Sequence, residues 1–122
     1  MPKAPLISVV DDDQFFRDSL TLLISSLDYD VEAFSSAADF LASPRLGETA
    51  CLIADVHMPV MSGIELHGHL IKAARAIPTI LVTAYPVDDV RASALKDGVF
   101  CYLSKPVDDK DLIRCLHAAL QH

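Results

Sequence analysis

The chain has 122 residues, a length that suits one domain built around one core. Lys and Arg number 10 against 17 Asp and Glu, a formal net charge of −7, and such a surface repels nucleic acid and anionic membranes. Hydrophobic residues make up 52%, yet no apolar run approaches the ~18 residues that suggest a membrane span, and Met1-Pro2-Lys3-Ala4-Pro5 lacks the apolar core of a signal peptide. The expectation is a cytoplasmic protein, a single domain over residues 1–122, with no direct binding to nucleic acid or membrane. Any output domain would lie outside this chain.

Ile7-Ser8-Val9-Val10 is β-branched and ends at Asp11-Asp12-Asp13, reading as a first strand. From Gln14 to Leu27, Phe16, Leu20, Leu23 and Leu27 recur at helical spacing. Tyr29 to Phe34 is a second, less apolar strand, followed by a short helix over Ala37–Leu41 with Ser35 or Ser36 as N-cap. Ala50 to Ala54 is a third strand, ending at Asp55. Met58-Pro59-Val60-Met61-Ser62-Gly63 is a loop punctuated by Pro and Gly. Leu66, Leu70 and Ala73 mark the next helix, and Thr79 to Val82 a strand ending at Thr83. Val87, Val90 and Ala94 mark a fourth helix stopped by Gly98. Phe100 to Leu103 is the fifth strand. Asp108 caps a last helix with Leu112, Leu116 and Ala119 inward and Asp111 near its positive end.

Strict alternation of strand and helix predicts an α/β fold, a doubly wound parallel sheet of five strands with helices on both faces. Near-continuous apolar character in strands one, three and four agrees, because central parallel strands are buried on both faces. Right-handed crossovers leave few topologies; the order 2-1-3-4-5, that of flavodoxin and the chemotaxis receiver, is one of two common solutions and makes strands one and three neighbours. Ligands bind beyond the carboxyl ends of such strands, where the order reverses. Asp11, Asp12, Asp55, Thr83 and Lys105 all follow strand ends, so this topology predicts that they converge.

Clustered carboxylates repel one another, and a hard cation resolves the conflict. Magnesium prefers oxygen ligands and often binds through one or two carboxylates plus phosphate oxygens. Asp12 and Asp55 are the candidate direct ligands and Asp11 one acting through water. Asp13 belongs to the helix start. Asp55 is also the candidate nucleophile, since a carboxylate can take a phosphoryl group as an aspartyl phosphate. Such transfer needs mainly positioning and neutralisation of the equatorial oxygens. Lys105 would neutralise one, and the Thr83 hydroxyl with the Ala84 N–H another. Taken singly, each fragment has an ordinary structural reading: a turn aspartate, a solvated helix start, a Lys-Pro loop, a strand threonine. The combination is what points to chemistry.

The fragments Val9-Val10-Asp11-Asp12-Asp13, Asp55-Val56-His57-Met58-Pro59-Val60-Met61-Ser62-Gly63, Thr83-Ala84 and Lys105-Pro106 make the chain resemble the receiver domain of two-component response regulators. The resemblance covers nearly its whole length. Ser62-Gly63 and Thr83-Ala84 lean toward the nitrogen-fixation regulator subfamily. The resemblance implies that Asp55 accepts phosphate from a sensor histidine kinase or phosphotransfer protein. It implies that Asp11, Asp12 and Asp55 bind magnesium with the backbone carbonyl of His57. Lys105 would contact the phosphoryl group, and its bond to Pro106 would be cis. Thr83 would move toward the phosphate and Tyr102 rotate inward behind it, coupling the site to a face made by helix four, strand five and helix five, which could dimerise. The output would be a conformation, so the chain would not be an enzyme in the usual sense.

One rival is a small aspartyl-phosphate phosphatase similar to the haloacid dehalogenases. Their Asp-x-Asp-x-Thr run is not matched by Asp11-Asp12-Asp13-Gln14-Phe15. A second is a degenerate receiver that only binds partners, against which the intact Asp, Thr and Lys set argues. His57 and Tyr85 flank the site and are bulky enough to shield an aspartyl phosphate from water. His67 and His69 do not share a helix face as zinc ligands would, and His117 and His122 read as surface residues. Cys51, Cys101 and Cys115 have no metal-type spacing and read as buried thiols.

Overall fold

The apolar and helical runs fold into ten elements in strict alternation, described here over residues 4–121 of a computed structural model. They are β1 (Leu6–Val10), α1 (Gln14–Ser26), β2 (Asp30–Phe34), α2 (Ala37–Leu41), β3 (Thr49–Asp55), α3 (Gly63–Lys72), β4 (Thr79–Thr83), α4 (Asp88–Lys96), β5 (Cys101–Ser104) and α5 (Asp109–Leu120). All strand pairs are parallel and the order is β2-β1-β3-β4-β5. The reversal of order therefore falls between β1 and β3, and Val10 pairs with Ala54 directly before Asp11 and Asp55.

Successive strand residues point to opposite faces, and the core divides accordingly. Val10, Leu52, Ala54 and Leu81 pack with Phe40, Leu66 and Leu70, which belong to α2 and α3. Ile7, Val9, Ile53, Ile80 and Val82 pack with Leu20, Ile24, Leu112 and Leu116 of α1 and α5. Full burial of one such Leu or Ile side chain contributes about 1.5–3 kcal/mol, so the three central strands, apolar on both faces, anchor the fold. β2 is an edge and only half covered, which explains its mixed composition. The hydroxyl pair Ser8 Oγ–Thr49 Oγ1, at 2.9 Å, satisfies two polar groups inside the sheet.

Caps set the helix starts. Asp13 accepts from Phe15 N–H and Phe16 N–H, Ser36 from Asp39 N–H, and Asp108 from Lys110 and Asp111 N–H. Ser62 and Glu65 form a reciprocal capping box. Gly98 carries φ +103° and ends α4.

Some expectations are corrected. Val87 is not an inward helical residue: it precedes α4 as an extended N-cap and is 52% exposed. Asp88, Asp89 and Val90 carry the first turn instead, where acidic residues suit the helix N-terminus. A single 3-10 turn at Leu46–Glu48 has no sequence period long enough to reveal it. Of the three cysteines only Cys51 is fully buried, whereas Cys101 and Cys115 are half-buried. Burial pushes the thiols of Cys51 and Cys101 up to about 12, which disfavours the reactive thiolate. His67 is buried on α3, while His117 is exposed with its ring edge against Tyr29. His122 and Met1–Lys3 lie outside the described residues. No helix among the described residues is long and apolar enough to cross a membrane.

Candidate functional site

The acidic run after β1 is held by its own hydrogen bonds. Asp13 N–H donates to Asp11 Oδ1 at 2.8 Å, fixing the turn that carries the chain into α1. Arg17, one turn into that helix, reaches back to the Asp11 carbonyl at 2.6 Å. Asp11 is thereby buried, while its neighbour Asp12 points to solvent. Asp13, assigned to the helix start by sequence, is that helix's cap and also the donor that orients Asp11.

Asp55 ends β3 at the adjacent strand and is also buried. Its Oδ1 accepts from the His57 N–H at 3.1 Å. The backbone beyond it is tied to the next strand by Val56 N–H to the Val82 carbonyl, 2.8 Å. Gly63, at the start of α3, has a structural requirement that the Pro- and Gly-punctuated loop only hinted at. A Cβ there would run into the Asp55 carbonyl and crowd Leu81. Absence of a side chain lets the helix N-terminus close onto the backbone of Asp55.

Lys105 arrives from the end of β5, where its N–H donates to the Thr83 carbonyl at 2.7 Å and its bond to Pro106 is cis. Its Nζ lies 2.8 Å from Asp11 Oδ2 and 3.3 Å from Asp55 Oδ2. It also stands over the Phe16 ring, 4.2 Å from the centroid. Burial alone would lower the Lys105 pKa, but the hydrogen bond and charge of Asp11, with those of Asp55, outweigh it and raise the pKa. The Asp11 pKa is raised, with burial the largest cause and Lys105 opposing it. One ammonium thus faces two buried carboxylates and leaves an excess of negative charge.

One carboxylate oxygen from each of Asp11, Asp12 and Asp55 lies within 4.8 Å of the others. Among the described residues this is the one such group of three or more His, Cys, Asp or Glu side chains. An all-oxygen donor set with one solvent-facing member suits a hard cation that keeps several waters, which is magnesium chemistry rather than zinc. The residues fit the ion.

Thr83 is buried at the end of β4, and its Oγ1 accepts from the Tyr85 N–H at 3.0 Å. Ala84 is exposed at the head of the following loop. The His57 and Tyr85 rings meet edge to face, with centroids 5.7 Å apart and planes at 72°. Tyr102 lies inward, 8% exposed and in one cluster with Ala94 and Val99, and burial raises its pKa. The ring occupies the apolar space beneath α4. Sequence reading missed two contributors, Arg17 and Phe16. Both lie in the first turns of α1, and Phe16 was visible only as a core residue at helical spacing.

Comparison with known proteins agrees with this geometry. The model of the response regulator receiver domain family matches residues 7–117. The transcriptional regulatory protein TdiR of Thauera aromatica is 38% identical over 117 residues, covering 96% of this chain and 52% of its own length. The transcriptional regulatory protein FixJ of Azorhizobium caulinodans is 33% identical over 120 residues, covering 98% and 57%. The solved structure of the response regulator StyR superposes with a TM-score of 0.88 at 36% identity, over 97% of this chain and 60% of that one. The chain spans about half the length of these curated relatives. The nitrogen-fixation regulator is one of several named relatives, so the subfamily expectation is not singled out. The phosphatase alternative finds no support among these matches. Five parallel strands in the order 2-1-3-4-5, an aspartate cluster at their reversal point and this run of relatives have one explanation: the chain belongs to the family of response regulator receiver domains, which are phosphorylated on aspartate in two-component signalling.

Proposed function

We propose that Asp55 is the phosphoacceptor of this receiver and that Asp11 and Asp12 hold magnesium beside it, with the His57 carbonyl completing the protein ligands. The observation that carries the reading is the Lys105 ammonium bridging Asp11 and Asp55, with Asp12 in the same cluster. A bound cation would supply charge neutralisation at the phosphoryl oxygens. An Asp55 carboxylate oxygen attacks phosphorus, the P–N bond to a donor phosphohistidine breaks, and its electron pair returns to the imidazole nitrogen. Lys105, already paired with Asp55, follows the developing charge on the phosphoryl oxygens. Thr83 Oγ and the Ala84 N–H serve a further oxygen. Phosphate is lost by water attack on the acyl phosphate, so the chain catalyses only its own phosphorylation and dephosphorylation and is not an enzyme on a separate substrate.

The donor is a sensor histidine kinase or a phosphotransfer protein. Phe15, Val60 and Tyr85 are largely exposed on the loops and first helical turn around the site, an apolar rim suited to a transient protein partner. Thr83 and Lys105 are joined through their backbones, and β5 leads to Tyr102 under α4. A phosphoryl group that binds the two Thr83 positions unequally would therefore shift the α4–β5–α5 face, the surface we assign to output and to phosphorylation-dependent dimerisation. The negative surface keeps this domain off nucleic acid and membrane, in keeping with a cytoplasmic location. Incubation with acetyl phosphate and magnesium, read by intact mass, tests the reading. One phosphoryl adduct that disappears in Asp55→Asn is expected, and an adduct that survives this substitution overturns it.

A further inference from the structure

We propose that Phe16 is a positioning residue for phosphoryl transfer, its ring face holding the Lys105 ammonium over the site through a cation–π contact. The inference rests on Asp55 being the phosphoacceptor. An ammonium has three N–H donors. At Lys105 one is directed to Asp11 at 2.8 Å and one to Asp55 at 3.3 Å. The Phe16 centroid lies 4.2 Å from the same nitrogen, well inside the ~6 Å reach of the interaction. The side chain is 17% exposed, so the contact is largely sheltered from water, the condition under which such contacts are strongest.

The three partners differ in what happens to them during the reaction. Asp55 loses its carboxylate charge when it becomes an acyl phosphate. Asp11 is a ligand that a divalent cation would compete for. The Phe16 ring alone is unchanged, so it is the partner that can hold the ammonium while its other contacts are exchanged. A lysine stem is rich in rotamer freedom, and a fixed ring face keeps that freedom from returning as the carboxylates are redirected. The ring is itself held in place. Asp13 caps the helix through the Phe15 and Phe16 N–H groups, and Phe16 packs against the core beneath α1 and α5. The turn that presents Asp11 therefore also presents the ring.

The test is a series with mono-, di- and trifluorophenylalanine incorporated at position 16. Fluorine draws electron density from the ring face while nearly keeping its shape and adding to its hydrophobicity. Initial rates of phosphorylation by acetyl phosphate with excess magnesium are expected to fall stepwise, by about fivefold at the trifluoro end, the equivalent of ~1 kcal/mol. Urea midpoints should stay level along the series, and Phe16→Tyr should retain the wild-type rate. A second readout uses the unphosphorylated protein: the Lys105 ε-methylene protons should be shifted upfield by the ring and lose that shift in Phe16→Leu. Rates that stay flat along the series would reduce Phe16 to packing and overturn the proposal, as would an unshifted Lys105 in the wild type. If the wild-type chain takes no phosphoryl group, the reading of Asp55 fails, and the Lys105 shift decides the contact by itself.

Discussion

His57 and Tyr85 are expected to slow the loss of phosphate from Asp55 as a pair. Their rings meet edge to face at 5.7 Å and 72°, each two residues beyond a site residue, Asp55 or Thr83, and an aromatic pair of this geometry contributes about 0.5–1.5 kcal/mol beyond burial. If water must part the rings to reach phosphorus in line, that energy adds to the hydrolysis barrier. At about 1.4 kcal/mol per tenfold, His57→Ala or Tyr85→Ala should accelerate dephosphorylation by roughly 2- to 12-fold. Either substitution already breaks the contact, so the double variant should gain little over the faster single variant, a coupling that a double-mutant cycle reads directly. Tyr85→Phe keeps the edge contact and should match the wild type. The substitutions leave the supporting hydrogen bonds in place, because His57 N–H to Asp55 and Tyr85 N–H to Thr83 are backbone donors. The assay is retention of phosphoryl label after the donor is removed, with magnesium held constant. An unchanged or slower loss, or full additivity of the two substitutions, would refute shielding by the pair.

Gly63→Ala should destabilise the domain by about 1–3 kcal/mol in urea unfolding, because its Cβ meets the Asp55 backbone and Leu81. Gly68→Ala, on the open face of the same helix, should instead stabilise by roughly 0.5–1 kcal/mol; equal effects at both positions would contradict the close-approach argument. Lys105→Met leaves buried Asp11 without its cation and should cost about 3 kcal/mol in the presence of a chelator. Magnesium should recover part of that loss by linkage, visible as a larger magnesium-induced rise in Tm than in the wild type. His67 has its pKa lowered by burial, with Asp97 opposing. Below the unfolded value near 6.5 the unfolded chain binds a proton that the folded chain resists, so stability falls as pH drops from there toward the folded pKa. Denaturant midpoints at pH 7.5 and 5.5 should differ more in the wild type than in His67→Gln, and equal differences would contradict it.

The sheet was legible because its strands are short β-branched or apolar runs, each ending at a chemically distinct residue. Alternation and handedness left few topologies, and order 2-1-3-4-5, one of two common solutions, brought Asp11 and Asp55 to neighbouring strand ends as found. Site members at strand ends were legible for the same reason: a strand end is a fixed place. What lay hidden was carried by side-chain direction. Phe16 has the spacing of a core residue, and only the three-dimensional placement of Lys105, distant in sequence, shows what its outer ring face meets. Val87 misled because an apolar residue at helical spacing also serves as an extended approach to a helix. Tyr102 could not be placed by sequence, since inward and outward rotamers leave the same apolar run Phe100–Leu103.

The central claim is that the phosphoryl group resides on Asp55. Borohydride reduces an acyl phosphate to an alcohol, so an aspartyl phosphate becomes homoserine in the chain. The protein, phosphorylated by acetyl phosphate with magnesium, reduced and sequenced by tandem mass spectrometry, should carry homoserine at position 55 alone. Homoserine at position 11 or 12, or an unmodified position 55 in protein shown to hold phosphate, would contradict the account.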